Sequence, residues 1–232
     1  MAKKKQNQEV HSPIEGVEES ISRAEQFIEN NLRSVGIAIG AVIAVILLYF
    51  GYQSYIVEPA ELEAQQAIFP AQEYFEADSL NKALNGYAGN MGFVQVADEF
   101  SGTKAGNLAN YYAGVCYLNT GDYKNAIAYL EDFSSNDGTM NVIATGAIGD
   151  AFHELNQPEE ALEYYEKAAG LSGNEFTTPI YLQKAAKTAE MLKDWKTALK
   201  YYNRMREEFP NADQSRDVEK FISYCEAKVA QS

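Results

Sequence analysis

Apolar and polar positions are arranged along this chain in three ways, and each way predicts a different element. Between Arg33 and Glu58 no charge interrupts "SVGIAIGAVIAVILLYFGYQSYIV". A run that is apolar on every side has no amphipathic face, and at about 1.5 Å per residue it is long enough to cross a hydrocarbon layer of about 30 Å. Before it, Ile14, Val17, Ile21, Ala24, Ile28 and Leu32 recur every three or four residues behind Ser12, Pro13 and Glu15. That order of N-cap, first-turn proline and N3 carboxylate predicts an amphipathic helix leading into the span. After it, apolar residues return at helical spacing in short segments separated by turn signals, and no alternating strand pattern replaces them.

Those later segments repeat. "GDYKNAIAYLEDF" from Gly121 returns as "NQPEEALEYYEKA" from Asn156 and "KDWKTALKYYNRM" from Lys193. The alignment rests on Ala126, Ala161 and Ala198, which are 35 and 37 residues apart. Tyr123, Leu130 and Phe133 surround the first alanine at three before and four and seven after; Pro158, Tyr165 and Ala168, then Trp195, Tyr202 and Met205, surround the others. Twelve residues before each alanine stands Gly114, Gly149 or Ala186, a small residue that lets a preceding helix approach closely, with Tyr117, Phe152 and Ala189 three further on. Gly121 and Asn156 suit the left-handed conformation that closes a helix.

Each unit is thus helix, tight turn, helix in about 34 residues, which resembles the tetratricopeptide repeat. The expected fold is all-α: one N-terminal transmembrane helix followed by an α-solenoid of about three repeats. Residues 58–106 are a divergent first repeat, because "GFVQVADEFSG" repeats the tail of the pattern while "NGYAGNMG" replaces the first turn of its second helix. Pro70 should kink or break the long first helix of that unit. Residues 107–212 hold the three repeats, and 213–232 a capping helix and tail, striped by Val218, Phe221, Ile222, Cys225 and Val229. Residues 1–33 and 34–57 are the N-terminal segment and the span.

In the tetratricopeptide superhelix the exposed inner wall comes from the first helix of each pair. Carried onto this sequence, the resemblance implies Leu108, Tyr111, Val115 and Asn119, then Ile143, Gly146, Asp150 and Glu154, then Ile180, Gln183, Lys187 and Met191. Such a wall suits an extended or helical polypeptide, with Tyr111 as anchor. The alternative is that the divergent repeat or the capping helix fills it. The variant that clamps a chain-terminal carboxylate with Lys and Asn from its first repeat is not matched, since Tyr111 and Val115 stand there.

Charge narrows the partner. The net charge is -14, against the basic clusters that nucleic-acid backbones require. Residues 58–181 carry 4 basic and 19 acidic side chains, whereas 182–232 carry 10 and 8. No chemistry is legible. His153 and Glu154 are adjacent and diverge by about 100° on a helix, His11 lies beyond the span, and "GYAGNMG" lacks the GK[ST] of a phosphate loop. No metal, cofactor, catalytic residue or small-molecule substrate is expected. Cys116 and Cys225 lie on apolar faces as small buried residues, with a disulfide between them left open.

Lys3, Lys4, Lys5, Arg23 and Arg33 precede the span, and the next basic residue is Lys82. By the positive-inside rule the N-terminus is cytoplasmic and the repeats lie outside, in the periplasm of a Gram-negative envelope. With "AEQFIENN" before a single N-in span and a repeat array after it, the layout resembles the YfgM-like ancillary subunits of the SecYEG translocon; "FPAQEYFEADS" is also similar to membrane-anchored repeat proteins of the Bacteroidota. The resemblance implies an inner-membrane protein whose partners are translocon subunits and a periplasmic chaperone or emerging chain. A scaffold subunit of another envelope complex is the alternative.

Overall fold

The computed structural model describes residues 29–171 and 174–231 and divides into two units at Ile56/Val57. The amphipathic helix expected from Ser12 lies outside the described residues as far as residue 28. In the first unit, α1 (Leu32–Tyr52) has 21 residues and buries none of them. Its rise of about 31 Å matches the thickness of a hydrocarbon layer. A π-helical stretch, Gln53–Val57, follows.

Every further regular element among the described residues is helical: α2 (Glu58–Glu76), α3 (Leu80–Asn85), α4 (Phe93–Glu99), α5 (Lys104–Thr120), α6 (Tyr123–Glu131), α7 (Gly138–Glu154), α8 (Pro158–Leu171), α9 (Thr178–Met191), α10 (Trp195–Glu208), a 3-10 turn (Asp213–Ser215) and α11 (Val218–Val229). Helices of this length are marginal alone in water, so packing must hold them. Consecutive helices pack in pairs, α5 on α6, α7 on α8 and α9 on α10, and each pair packs on the next. The result is an all-α solenoid with its core in three clusters along the array.

The small residues at the pair crossings explain the repeat. A Cβ on Gly114 would lie 2.5 Å from Leu130 Cγ, and one on Gly149 would lie 2.7 Å from Tyr165 Cδ1. Ala126, Ala161, Ala186 and Ala198 are fully buried. Tyr117 stacks on Tyr129 at 5.4 Å, and Phe152 on Tyr164 at 5.2 Å, which fills the rest of each crossing. The turns use left-handed residues: Gly121 and Asn156, and also Lys193, whose φ is 60°. Asp122 and Asp194 then cap α6 and α10 by accepting from the Asn125 and Thr197 backbone N–H groups, a contribution of about 1 kcal/mol each.

One expectation is corrected in part. Pro70 does not break its helix; α2 runs through it. The ring removes the bond to the Gln66 carbonyl, but Gln66 is exposed and water can serve that oxygen, while Ala64, Ile68 and Ala71 anchor the other face in the core. Cys116 and Cys225 are buried as expected, and the disulfide left open between them is not formed: both are free thiols, in clusters at opposite ends of the array. Burial pushes the first up to about 12 and, with the Glu190 carboxylate adding to it, the second to about 11.

The divergent first unit packs α2, α3 and α4 against α5, with the Phe93 ring stacked on Tyr112 at 4.9 Å and Phe75 edge-on to both. Glu61 reaches the start of α5 and accepts from the Lys104 N–H at 2.6 Å. Between α3 and α4 the glycine-rich segment folds into a two-residue hairpin, Tyr87 pairing with Asn90 across Ala88 and Gly89, both at positive φ. Gly92 is required there, since a Cβ would come within 2.2 Å of the Leu84 carbonyl oxygen. At the other end the Tyr202 ring stacks on Phe221 at 5.2 Å, and α11 covers α10.

Candidate partner-binding groove

With one side of α5, α7 and α9 used for pairing, the opposite side forms a wall. On α5, Leu108 is half-buried against the first cluster and Val115 against the second. Tyr111 is half-buried, its ring 5.2 Å from Phe133 and 5.6 Å from Tyr112. Burial, then the neighbouring Tyr112, raises its phenol pKa. Asn119 is exposed and donates to the Val115 carbonyl of its own helix. The apolar end of the wall is therefore largely built into the core.

On α7 the open wall is interrupted. Gly146, expected to be exposed, is buried: a Cβ there would sit 1.9 Å from Tyr181 Cε1, so the Tyr181 side chain of α9 packs against α7 where this residue has no side chain. Burial, with the Asp150 carboxylate and the Tyr111 phenol adding to it, pushes Tyr181 up to about 12. Ile143, one turn earlier, is half-buried. On α9, Ile180 remains partly open, but Gln183 is turned to the 3-10 segment, donating to the Gln214 carbonyl at 3.3 Å. The segment leading to the capping helix thus engages Gln183 while leaving Ile180 partly open.

Asp150, Glu154, Lys187 and Met191 are brought together, around His153. Asp150, His153, Lys187 and Met191, with Tyr165, Lys184 and Thr188, line a cleft of about 220 Å³ between α7 and α9. Asp150, His153 and Glu154, with Leu118 and Tyr123, line another of about 290 Å³ towards α5. Asp150 is the junction. Its carboxylate accepts from the Tyr165 hydroxyl at 2.7 Å and from Lys184 Nζ at 2.5 and 2.7 Å. Burial and that carboxylate raise the Tyr165 phenol far above the usual range, so it stays a donor.

Lys184, Tyr181 and His153 are central here and were not on the sequence-derived wall. Lys184 stands 34 residues after Asp150, three short of the 37-residue spacing of these two repeats and so about one helical turn before the aligned Lys187, which places it beside Asp150 on the neighbouring helix. The same relation recurs on the second helices: Tyr164 donates to Glu131 at 2.7 Å and Lys200 to Glu166 at 3.2 Å. In all three the partners are opposite or hydrogen-bonding residue types 33 or 34 positions apart in the sequence.

Residues 108–137 and 181–212 match one tetratricopeptide repeat model, and residues 146–175 match another. The curated proteins contain no match to the chain. The matched stretches coincide with the pairs packed through Gly114, Gly149 and Ala186, so α5–α6, α7–α8 and α9–α10 are tetratricopeptide repeats.

Proposed function

We propose that the protein is a single-pass adaptor of the inner membrane, with its N-terminus in the cytoplasm and its repeats in the periplasm holding protein partners on the α5–α7–α9 wall. The observation that supports it best is the pairing, in one chain, of two kinds of helix. α1 is long and apolar enough to cross a membrane and buries no residue, whereas the repeats bury their apolar faces in one another. Tetratricopeptide repeats are typically interaction modules rather than catalysts, and stacked repeats create extended surfaces for polypeptides. The two wall clefts are below the roughly 300 Å³ at which sites for drug-sized ligands begin, and they suit the side chains of a polypeptide.

Within this reading the partners are subunits of the Sec translocon and a periplasmic chaperone or emerging chain. The support is the layout and "AEQFIENN". Crosslinking in cells, extraction in mild detergent and mass spectrometry test it. Recovery of translocon subunits or a periplasmic foldase is the expected outcome; exclusive recovery of secretion or cell-wall components contradicts it and favours a scaffold of that machine. A reporter fused after Ser232 should be active only outside the cytoplasm.

A further inference from the structure

The carboxylates of the wall are already held by the protein's own donors. Asp150 is bound by Tyr165 and Lys184, and Glu154 accepts from the Tyr123 hydroxyl at 3.3 Å. Asp150 in turn neutralises Lys184. Lys187, one turn along α9 and exposed in the same cleft, has no carboxylate within ion-pair distance among the described residues. In the same cleft stands Met191, 59% exposed, one turn further along α9, and two turns back on that helix lies Ile180, 36% exposed. His153 faces the cleft from α7. The free charge offered here is a cation with apolar surface on either side.

Resting on the reading of this wall as a protein-binding surface, we propose that the α7–α9 cleft receives an internal Asp or Glu of a partner segment whose flanking residues are apolar. Lys187 is its counter-ion, and Met191 and Ile180 cover the flanks. The cleft of about 220 Å³ holds a side chain. A basic residue in that place would meet Lys187 with Asp150 already engaged. The contact is to a side chain rather than a chain terminus, because Tyr111 and Val115 replace the Lys and Asn that a terminal-carboxylate clamp draws from α5. The acidity of residues 58–181 acts on approach and is screened beyond about 8–10 Å in physiological salt, so the short-range pair decides the preference.

A display library of random twelve-residue peptides, presented as internal segments, is selected on the detergent-solubilised full-length protein and on its Lys187→Glu variant. Wild type should enrich sequences with Asp or Glu between apolar residues. Replacing that residue by Gln in a synthetic, C-terminally amidated peptide should weaken binding about two- to fivefold, and selection on Lys187→Glu should move the preference to Lys or Arg. Lys187→Gln, which keeps the volume, should lose the preference without reversing it. Enriched sequences with no acidic position, or an unchanged acidic preference on Lys187→Glu, overturn the proposal. Those outcomes leave the groove reading intact as long as Met191→Arg abolishes binding. Enrichment that survives Met191→Arg, or no enrichment at all, overturns the groove reading and the proposal together.

Discussion

Tyr181 occupies the space a side chain at Gly146 would need, its Cε1 only 1.9 Å from where a Cβ would stand. This contact joins the first helices of two successive repeats and closes the middle of the inner wall. Gly146→Ala should therefore destabilise the array although alanine is the better helix former. The propensity gain is about 1 kcal/mol, whereas overpacking costs about 1–3 kcal/mol, and contact at 1.9 Å lies at the severe end. Equilibrium urea unfolding should show a lower midpoint, partly restored by adding Tyr181→Leu. A midpoint at or above wild type contradicts the packing.

Tyr164 and Glu131 make the corresponding bridge between second helices. Both partners are partly open to water, so a double-mutant cycle of Tyr164→Phe and Glu131→Gln should give a coupling of about 0.5 kcal/mol. Additivity of the two substitutions contradicts the bridge.

Asp194 should be worth more than its exposure suggests, because it caps α10. Hydrogen bonds from Thr197 hold its carboxyl below the ordinary value. A depressed folded pKa means that the stabilisation is present above the unfolded value of about 3.9 and is lost as pH falls through the folded one. Asp194→Ala should cost about 1 kcal/mol at neutral pH, and its difference from wild type should shrink in acid. An equal difference at pH 7 and pH 2 contradicts the cap.

At the alkaline end the sign reverses. Burial first, and nearby carboxylates second, raise the phenols of Tyr165, Tyr181, Tyr201 and Tyr202 above the unfolded value of about 10, Tyr181 to about 12. Groups raised on folding contribute stability below the unfolded pKa and lose it as pH rises towards the folded one. Between pH 10 and 12, phenolate absorbance from these four should appear together with loss of helical circular dichroism. Complete ionisation with helicity intact would contradict their burial.

The solenoid was legible because a crossing of two helices leaves a mark at one position: Gly114, Gly149 and Ala186 each lie twelve residues before an alanine, and the structure places them in the pair crossings. Contacts between repeats were not legible in this way. Asp150–Lys184 and Tyr164–Glu131 link side chains a repeat apart that a scan within each unit treats as solvated surface. Gly146 read as open because a glycine shows what it permits, not what covers it. Gln183 read as open because the segment through Gln214 carries no apolar signal. Lys193 escaped notice as a helix terminator since only the turn geometry, and not its side chain, puts it at positive φ.

The central claim, that protein partners are held on the wall of the first helices, is tested most directly by site-specific photocrosslinking in intact membranes. A photoreactive residue replaces Met191 on the wall or, as control, Lys196 on α10. The account predicts a discrete protein adduct from position 191 and none from position 196. Equal adducts from both positions, or none from 191, contradict it.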